Sequence, residues 1–164
     1  MRDKFIFSDS QALSTLDTTG VVSTNIFDLE VAASGGATIL TDDQIDGYLN
    51  VLITAAPTTQ TGVEGMFVDL RTDDTSTLAF GAAVYPADGV ADEHILGMIH
   101  IKEDDMRAGK RFSVRVHASK MGKYLGVWYR AAVTALATGV TVDAWMSDHP
   151  ITENESIQKT SQQY

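Results

Sequence analysis

Between residues 111 and 147 apolar and polar side chains alternate in three successive runs. In the first, Phe112, Val114, Val116 and Ala118 alternate with Ser113, Arg115 and His117, the period-2 pattern of a half-buried strand. The second sets Leu125, Val127 and Tyr129 against Tyr124, Gly126, Trp128 and Arg130. The third sets Val140, Val142, Ala144 and Met146 against Thr141, Asp143 and Trp145. Ser119-Lys120-Met121-Gly122 reads as the turn between the first two, with Gly122 suited to a positive φ. Strands joined by such short connections are expected to pair antiparallel.

The rest of the chain carries the same punctuation. Phe5-Ile6-Phe7 predicts a short strand over residues 4–8, followed by a polar turn at Ser8-Asp9-Ser10-Gln11. Gly20 marks another turn, and residues 24–29 read as a second strand. Ser34-Gly35-Gly36 is a loop signal, and Thr41-Asp42-Asp43-Gln44 has the spacing of a capping box, enough for one helical turn. A strongly β-prone run at 48–55 stops at Pro57. A strand at 63–71 then places Met66, Val68 and Leu70 on one face. Residues 72–77 read as a turn, 78–84 as a short strand, Pro86-Ala87-Asp88-Gly89 as a turn, 95–101 as a strand and 103–110 as a charged loop. The total is about nine short strands with regular turn spacing and no long amphipathic helix, the signature of an all-β, antiparallel sandwich or barrel. One β-sandwich domain is expected over residues 1–147. Residues 148–164 are polar and non-periodic, and read as a tail or an arm that orders on a partner.

Composition narrows the function classes. The chain has 164 residues, 44% of them hydrophobic, enough for one core without staples. It has no cysteine, which removes disulfides, thiolate metal sites and cysteine nucleophiles. Its 22 acidic and 12 basic residues leave a net charge of −10, a field that repels phosphate backbones and disfavours direct nucleic-acid binding. No signal-peptide apolar core and no apolar run of roughly 18 residues is present, so a soluble protein made in a cytoplasm, without membrane contact, is expected.

Candidate chemistry is sparse. Asp42-x-Gln44-x-Asp46-Gly47 imitates the start of a calcium loop, but the position that must supply a bidentate Glu falls on Ile53, so an acidic turn is the simpler reading. His94, His100, His117 and His149 have no metal-ligand spacing; His100 and His117 are expected to form at most a cross-strand polar pair. Ser156-x-x-Lys159 matches the Ser-x-x-Lys nucleophile motif of serine β-lactamases, but its companion motifs are absent and it sits in the polar tail, so chance is the simpler account. No catalytic residue, cofactor or metal site is therefore expected, and the chain reads as a non-enzyme. Lys102, Arg107, Lys110, Arg111, Arg115, Lys120 and Lys123 concentrate positive charge in an acidic protein. They form either a balanced solvated face or a docking patch for an acidic protein surface. Trp128 and Trp145 read as core residues, or as interface anchors if their face points outward.

Two segments resemble one family. Phe7, Ser8, Asp9, Gln11 and Ala12, then Ser23, Thr24, Asn25, Ile26, Asp28 and Leu29, are similar to the amino-terminal segment of tailed-phage capsid cement (decoration) proteins. Gly122-Lys123-Tyr124-Leu125-Gly126-Val127-Trp128-Tyr129, followed by a Val-Thr-Val-Asp strand, resembles two later strands of that family. The similarity spans most of residues 5–146; the segment near 103–110 and the tail after Asp148 depart from it. The resemblance implies a jelly-roll-like sandwich of about 8–9 strands. It also implies a homo-oligomer, a dimer favoured and a trimer possible, bound outside the phage head and stapling copies of the major capsid protein against the pressure of packaged DNA. A rival expectation is a carbohydrate- or receptor-binding sandwich with Trp128, Tyr124 or Trp145 as a stacking platform.

Overall fold

A computed structural model of the chain describes residues 5–13, 16, 20–29, 45–57, 65–78, 95–118, 121–132 and 139–151. Among them are nine strands: β1 (Ile6–Leu13), β2 (Val21–Val22), β3 (Phe27–Asp28), β4 (Ile45–Ala55), β5 (Met66–Asp73), β6 (Ile95–Ile101), β7 (Arg111–Ala118), β8 (Tyr124–Ala131) and β9 (Val140–Ser147). A single 3-10 turn, Glu103–Asp105, stands between β6 and β7.

The strands build two antiparallel sheets, ordered β1-β9-β4-β7 and β2-β8-β5-β6, with β3 joining β8 beside β2. The pairings nest: β1 with β9, β2 and β3 with β8, β4 with β7, β5 with β6. A chain whose outermost strands pair, then the next, and so inward, is a long hairpin wound into two sheets. This is the jelly-roll arrangement. The sandwich expected from the sequence is formed.

Alternation decides what the sheets enclose. Leu49, Val51 and Ile53 of β4, Val116 of β7 and Val140, Val142, Ala144 and Met146 of β9 point inward from the first sheet. Met66, Val68, Leu70, Ile99, Ile101, Leu125, Val127, Tyr129 and Ala131 meet them from the second. Met106, buried in the β6–β7 connection, closes one end of this core. Along the β6–β7 side the sheets nearly touch: a Cβ on Gly97 would stand 2.9 Å from Val116 Cγ2.

Several local expectations are corrected. The three strands between residues 111 and 147 do not pair with one another: β7 and β9 lie in the first sheet and β8 in the second. Their connections, residues 119–123 and 132–139, are long enough at about 3.3 Å per residue to cross the roughly 10 Å between sheets. The polar Ser8-Asp9-Ser10-Gln11 segment is a bulged stretch within β1, not a turn: register shifts flank Ser8, and Ser10 takes the extra residue at φ 54. Of the expected strand at 24–29 only the two residues of β3 pair; β2 precedes it at Val21–Val22, and Ser23 next to it has its Oγ accepting from Val127 N (3.0 Å). β4 begins at Ile45, so Asp46-Gly47 lies inside a strand. Gly122 is not in the left-handed region; a Cβ there would meet the Asp73 backbone at 2.5 Å, so close approach is what requires it. The features expected at 34–36, 41–44, 79–84 and 86–89 lie outside the described residues.

Candidate functional site

The sequence-clustered cations do not share one surface. Lys102, Arg107, Lys110 and Arg111 gather at the end of the sandwich where β6 passes to β7. Glu103, Asp104 and Asp105 are interleaved with them, and Lys110 Nζ lies 3.3 Å from Asp105 Oδ1. Arg115 projects from the outer face of β7, half a strand away, and forks onto the Asp46 carboxylate at 3.3 and 3.2 Å. Those hydrogen bonds hold the Asp46 carboxyl below its ordinary pKa and raise that of Arg115. Lys123 is at the opposite end of the sandwich, about 25 Å of strand away at 3.3 Å per residue. There it pairs with Asp28 (3.8 Å) and lies over the Tyr124 ring. Lys120 lies outside the described residues.

The aromatic candidates are built into the scaffold. Trp145 is 4% exposed, on the outer side of β9 opposite Ile6 and Asn50. Trp128 lies on the outer side of β8 with the Arg71 guanidinium 4.9 Å from its ring centroid. Beside it, on the outer face of the second sheet, Asp69 is fully buried and its Oδ2 accepts from Arg71 Nη2 (3.0 Å) and Arg130 Nε (3.2 Å). Arg130 in turn lies 4.3 Å over Phe67, which stacks with His100 at 4.4 Å. This chain of arginines and rings ties β5, β6 and β8 together through side chains. His100 is thus on the outer face of the second sheet and His117 on that of the first, so they do not face each other. Among the described residues no group of three His, Asp or Glu side chains could hold a metal.

Sequence reasoning did not foresee two arrangements. In the first, the segments quoted for the family resemblance meet one another. Gln11 Oε1 accepts from Ser8 Oγ (2.6 Å) and from Thr24 N (2.9 Å), while Gln11 Nε2 donates to the Val22 carbonyl (2.9 Å). Asn25 donates from Nδ2 to Ile6 O and from its backbone to Phe7 O, both at 2.9 Å. Ser8 Oγ also bonds the buried Tyr129 hydroxyl at 2.7 Å, and burial raises that phenol's pKa. Leu29 N donates to Lys123 O (2.7 Å) beside the Asp28–Lys123 pair. Phe27 packs edge to face against both Phe5 and Phe7 beneath this seam. The edges of the two sheets are therefore sewn together on the β1–β2 side.

The second arrangement seats the start of the C-terminal segment. Asn50 Nδ2 donates to Ser147 Oγ (2.7 Å) and His149 O (3.2 Å). Asn50 Oδ1 accepts from Ser113 Oγ (2.5 Å) and from Ile151 N (2.9 Å). Residues 148–151 thus run from β9 across β4 to β7 on the outer face of the first sheet. The His149 ring, 2.6 Å from Asp148 Oδ1, holds that carboxyl below its ordinary pKa.

No family model matches the chain, and no curated protein is significantly similar to it.

Proposed function

We propose that this chain is a structural, non-catalytic capsid cement protein that binds the outside of a tailed-phage head as a homo-oligomer and staples neighbouring major capsid proteins. One observation carries it. Ser8, Gln11, Ser23, Thr24, Asn25 and Asp28 of the first resembling segment join Lys123, Val127 and Tyr129 of the second in a single bonded seam. The residues on which the resemblance rests are thus gathered along one side of the sandwich rather than scattered over it, and that supports the reading.

The physical role follows from that build. Two sheets locked by side-chain bonds at one edge, and by the Asp69–Arg71–Arg130 network across the second sheet, resist shear between strands. A rigid body touching several subunits needs only modest contacts at each, because attachment at one raises the effective concentration at the next. Binding the expanded lattice in preference to the unexpanded one stabilises it by mass action. The test is co-sedimentation of the purified full chain with expanded heads that lack it, followed by heating. Retention on heads and a higher temperature of DNA release are expected; no retention, or release at an unchanged temperature, refutes the role.

A further inference from the structure

A buried side chain of the first sheet is given over to a segment that itself buries little. Asn50 stands on β4, a strand with neighbours on both sides, where Asn is a poor strand former, and it is 1% exposed. Both donors and both acceptor positions of its amide are in use. Nδ2 donates to Ser147 Oγ (2.7 Å) and His149 O (3.2 Å), and Oδ1 accepts from Ser113 Oγ (2.5 Å) and Ile151 N (2.9 Å). Two hydroxyls repeat the grip: Ser147 Oγ donates to His149 O (2.6 Å), and Ser113 Oγ accepts from Ile151 N (3.0 Å). The backbone is thus fixed on both sides of Pro150, whose ring sets its own φ. Yet Asp148, His149 and Pro150 are all exposed, and none of residues 148–151 belongs to the core. Hydrogen bonds of this kind add little net stability each, and no apolar burial accompanies them. What they provide is a set shape. A segment already held in one conformation loses little freedom when something binds it.

The side chains on that segment indicate what would bind. The Asp148 carboxylate is 65% exposed, and an ionised carboxylate is an acceptor only. His149 Nδ1, 2.6 Å from Asp148 Oδ1, orients it and holds its carboxyl below the ordinary pKa, so the acceptor persists at neutral pH. The chain as a whole carries a net charge of −10, which favours a positive counter-surface. We propose that Asp148-His149-Pro150 is a recognition segment, preset by Asn50 and Ser113, for a protein surface that offers Arg or Lys donors to the Asp148 carboxylate and an apolar contact to the Pro150 ring. Asn50 and Ser113 are then positioning residues: they touch the segment, not the partner. That the surface belongs to a capsid subunit rests on the cement reading.

The test uses the full chain and expanded heads that lack it. Asp148→Asn changes one exposed group; it should weaken co-sedimentation about tenfold and leave the melting temperature unchanged. Asn50→Ala should speed amide exchange at Ile151 about tenfold or more in the folded protein and weaken head binding with it. Ser113→Ala, at an exposed strand position, makes the same test with less effect on the fold. Gln11→Ala is the control, since it also removes a multiply bonded amide, but on the β1–β2 side. It should bind heads as wild type does, which a general effect of lowered stability would not allow. Wild type that binds beside an Asp148→Asn variant that binds equally overturns the recognition segment and leaves the cement role standing. So does equal binding by Asn50→Ala and Ser113→Ala, or unchanged exchange at Ile151, which would show that the amide presets nothing. Wild type that fails to bind refutes the cement role and the capsid partner together.

Discussion

Gln11 is the residue on which the seam between the two sheets depends, and its removal has a magnitude that can be worked out. The side chain makes three bonds, to Ser8 Oγ at 2.6 Å, Thr24 N at 2.9 Å and Val22 O at 2.9 Å. A net contribution of about 1 kcal/mol per bond, reduced by partial water access to a half-buried site, predicts a loss of about 2–3 kcal/mol for Gln11→Ala. In a chain of this length that corresponds to about 4–12 °C in Tm. Ser8→Ala should cost about as much, because Ser8 is fully buried and its loss strips a 2.7 Å partner from the Tyr129 hydroxyl. Both substitutions delete the same Ser8–Gln11 bond, so the double variant should fall short of their sum by about 0.5–1.5 kcal/mol. Urea unfolding followed through Trp128 and Trp145 fluorescence measures all four corners, with m expected unchanged. A Gln11→Ala loss below about 0.5 kcal/mol, or strict additivity, would show that the seam is decoration on a sandwich held by its core alone.

Three further substitutions probe other parts of the scaffold. Tyr129 has its pKa raised by burial from an ordinary 10.0, so its contribution is complete below pH 10 and is lost as pH rises from there toward the folded value. Stability should decline above that pH in wild type and less steeply in Tyr129→Phe, as read by urea midpoints across an alkaline series. Asp69→Ala leaves Arg71 and Arg130 buried without their shared carboxylate and should cost about 3–5 kcal/mol. A urea-midpoint change worth less than about 1 kcal/mol would mean the arginines need no counter-ion there. Gly126→Ala drives a Cβ into Leu78 Cδ1 on the outer face of β8. It should lower Tm by several degrees, and Leu78→Ala in the same chain should recover part of the loss.

The strands and their inward sets were legible because alternation reports faces directly. β6, β7, β8 and β9 lie where the period-2 runs place them, with the expected residues in the core. Alternation carries no information about neighbours, which is why β7, β8 and β9 read as adjacent strands and lie in alternating sheets. It also misleads about the outer faces. Asn50, Asp69, Arg71 and Asp143 are polar residues on outer faces, yet each is nearly or fully buried: Asn50, Asp69 and Asp143 bond residues distant in sequence, and Arg71 pairs with Asp69 and lies over the Trp128 ring. Ser8-Asp9-Ser10-Gln11 read as a turn because every residue in it favours turns. Its side chains instead serve the seam, and a single left-handed residue, Ser10, absorbs the irregularity. The cations between residues 102 and 123 are one cluster in sequence and several sites in space, because a strand separates them.

On one side of the sandwich Ser8, Gln11 and Asn25 bind the sheets to each other; on the other, Gly97 packs against Val116. Under the cement proposal, a load on the second sheet would pass through the β5–β8 ladder, cross at β2 and β3, and enter β1 and β9 through the seam. Gln11→Ala should therefore attach to heads normally below its own melting point and protect them less. Attachment lost at that temperature would contradict this route and place the contacts at the seam itself.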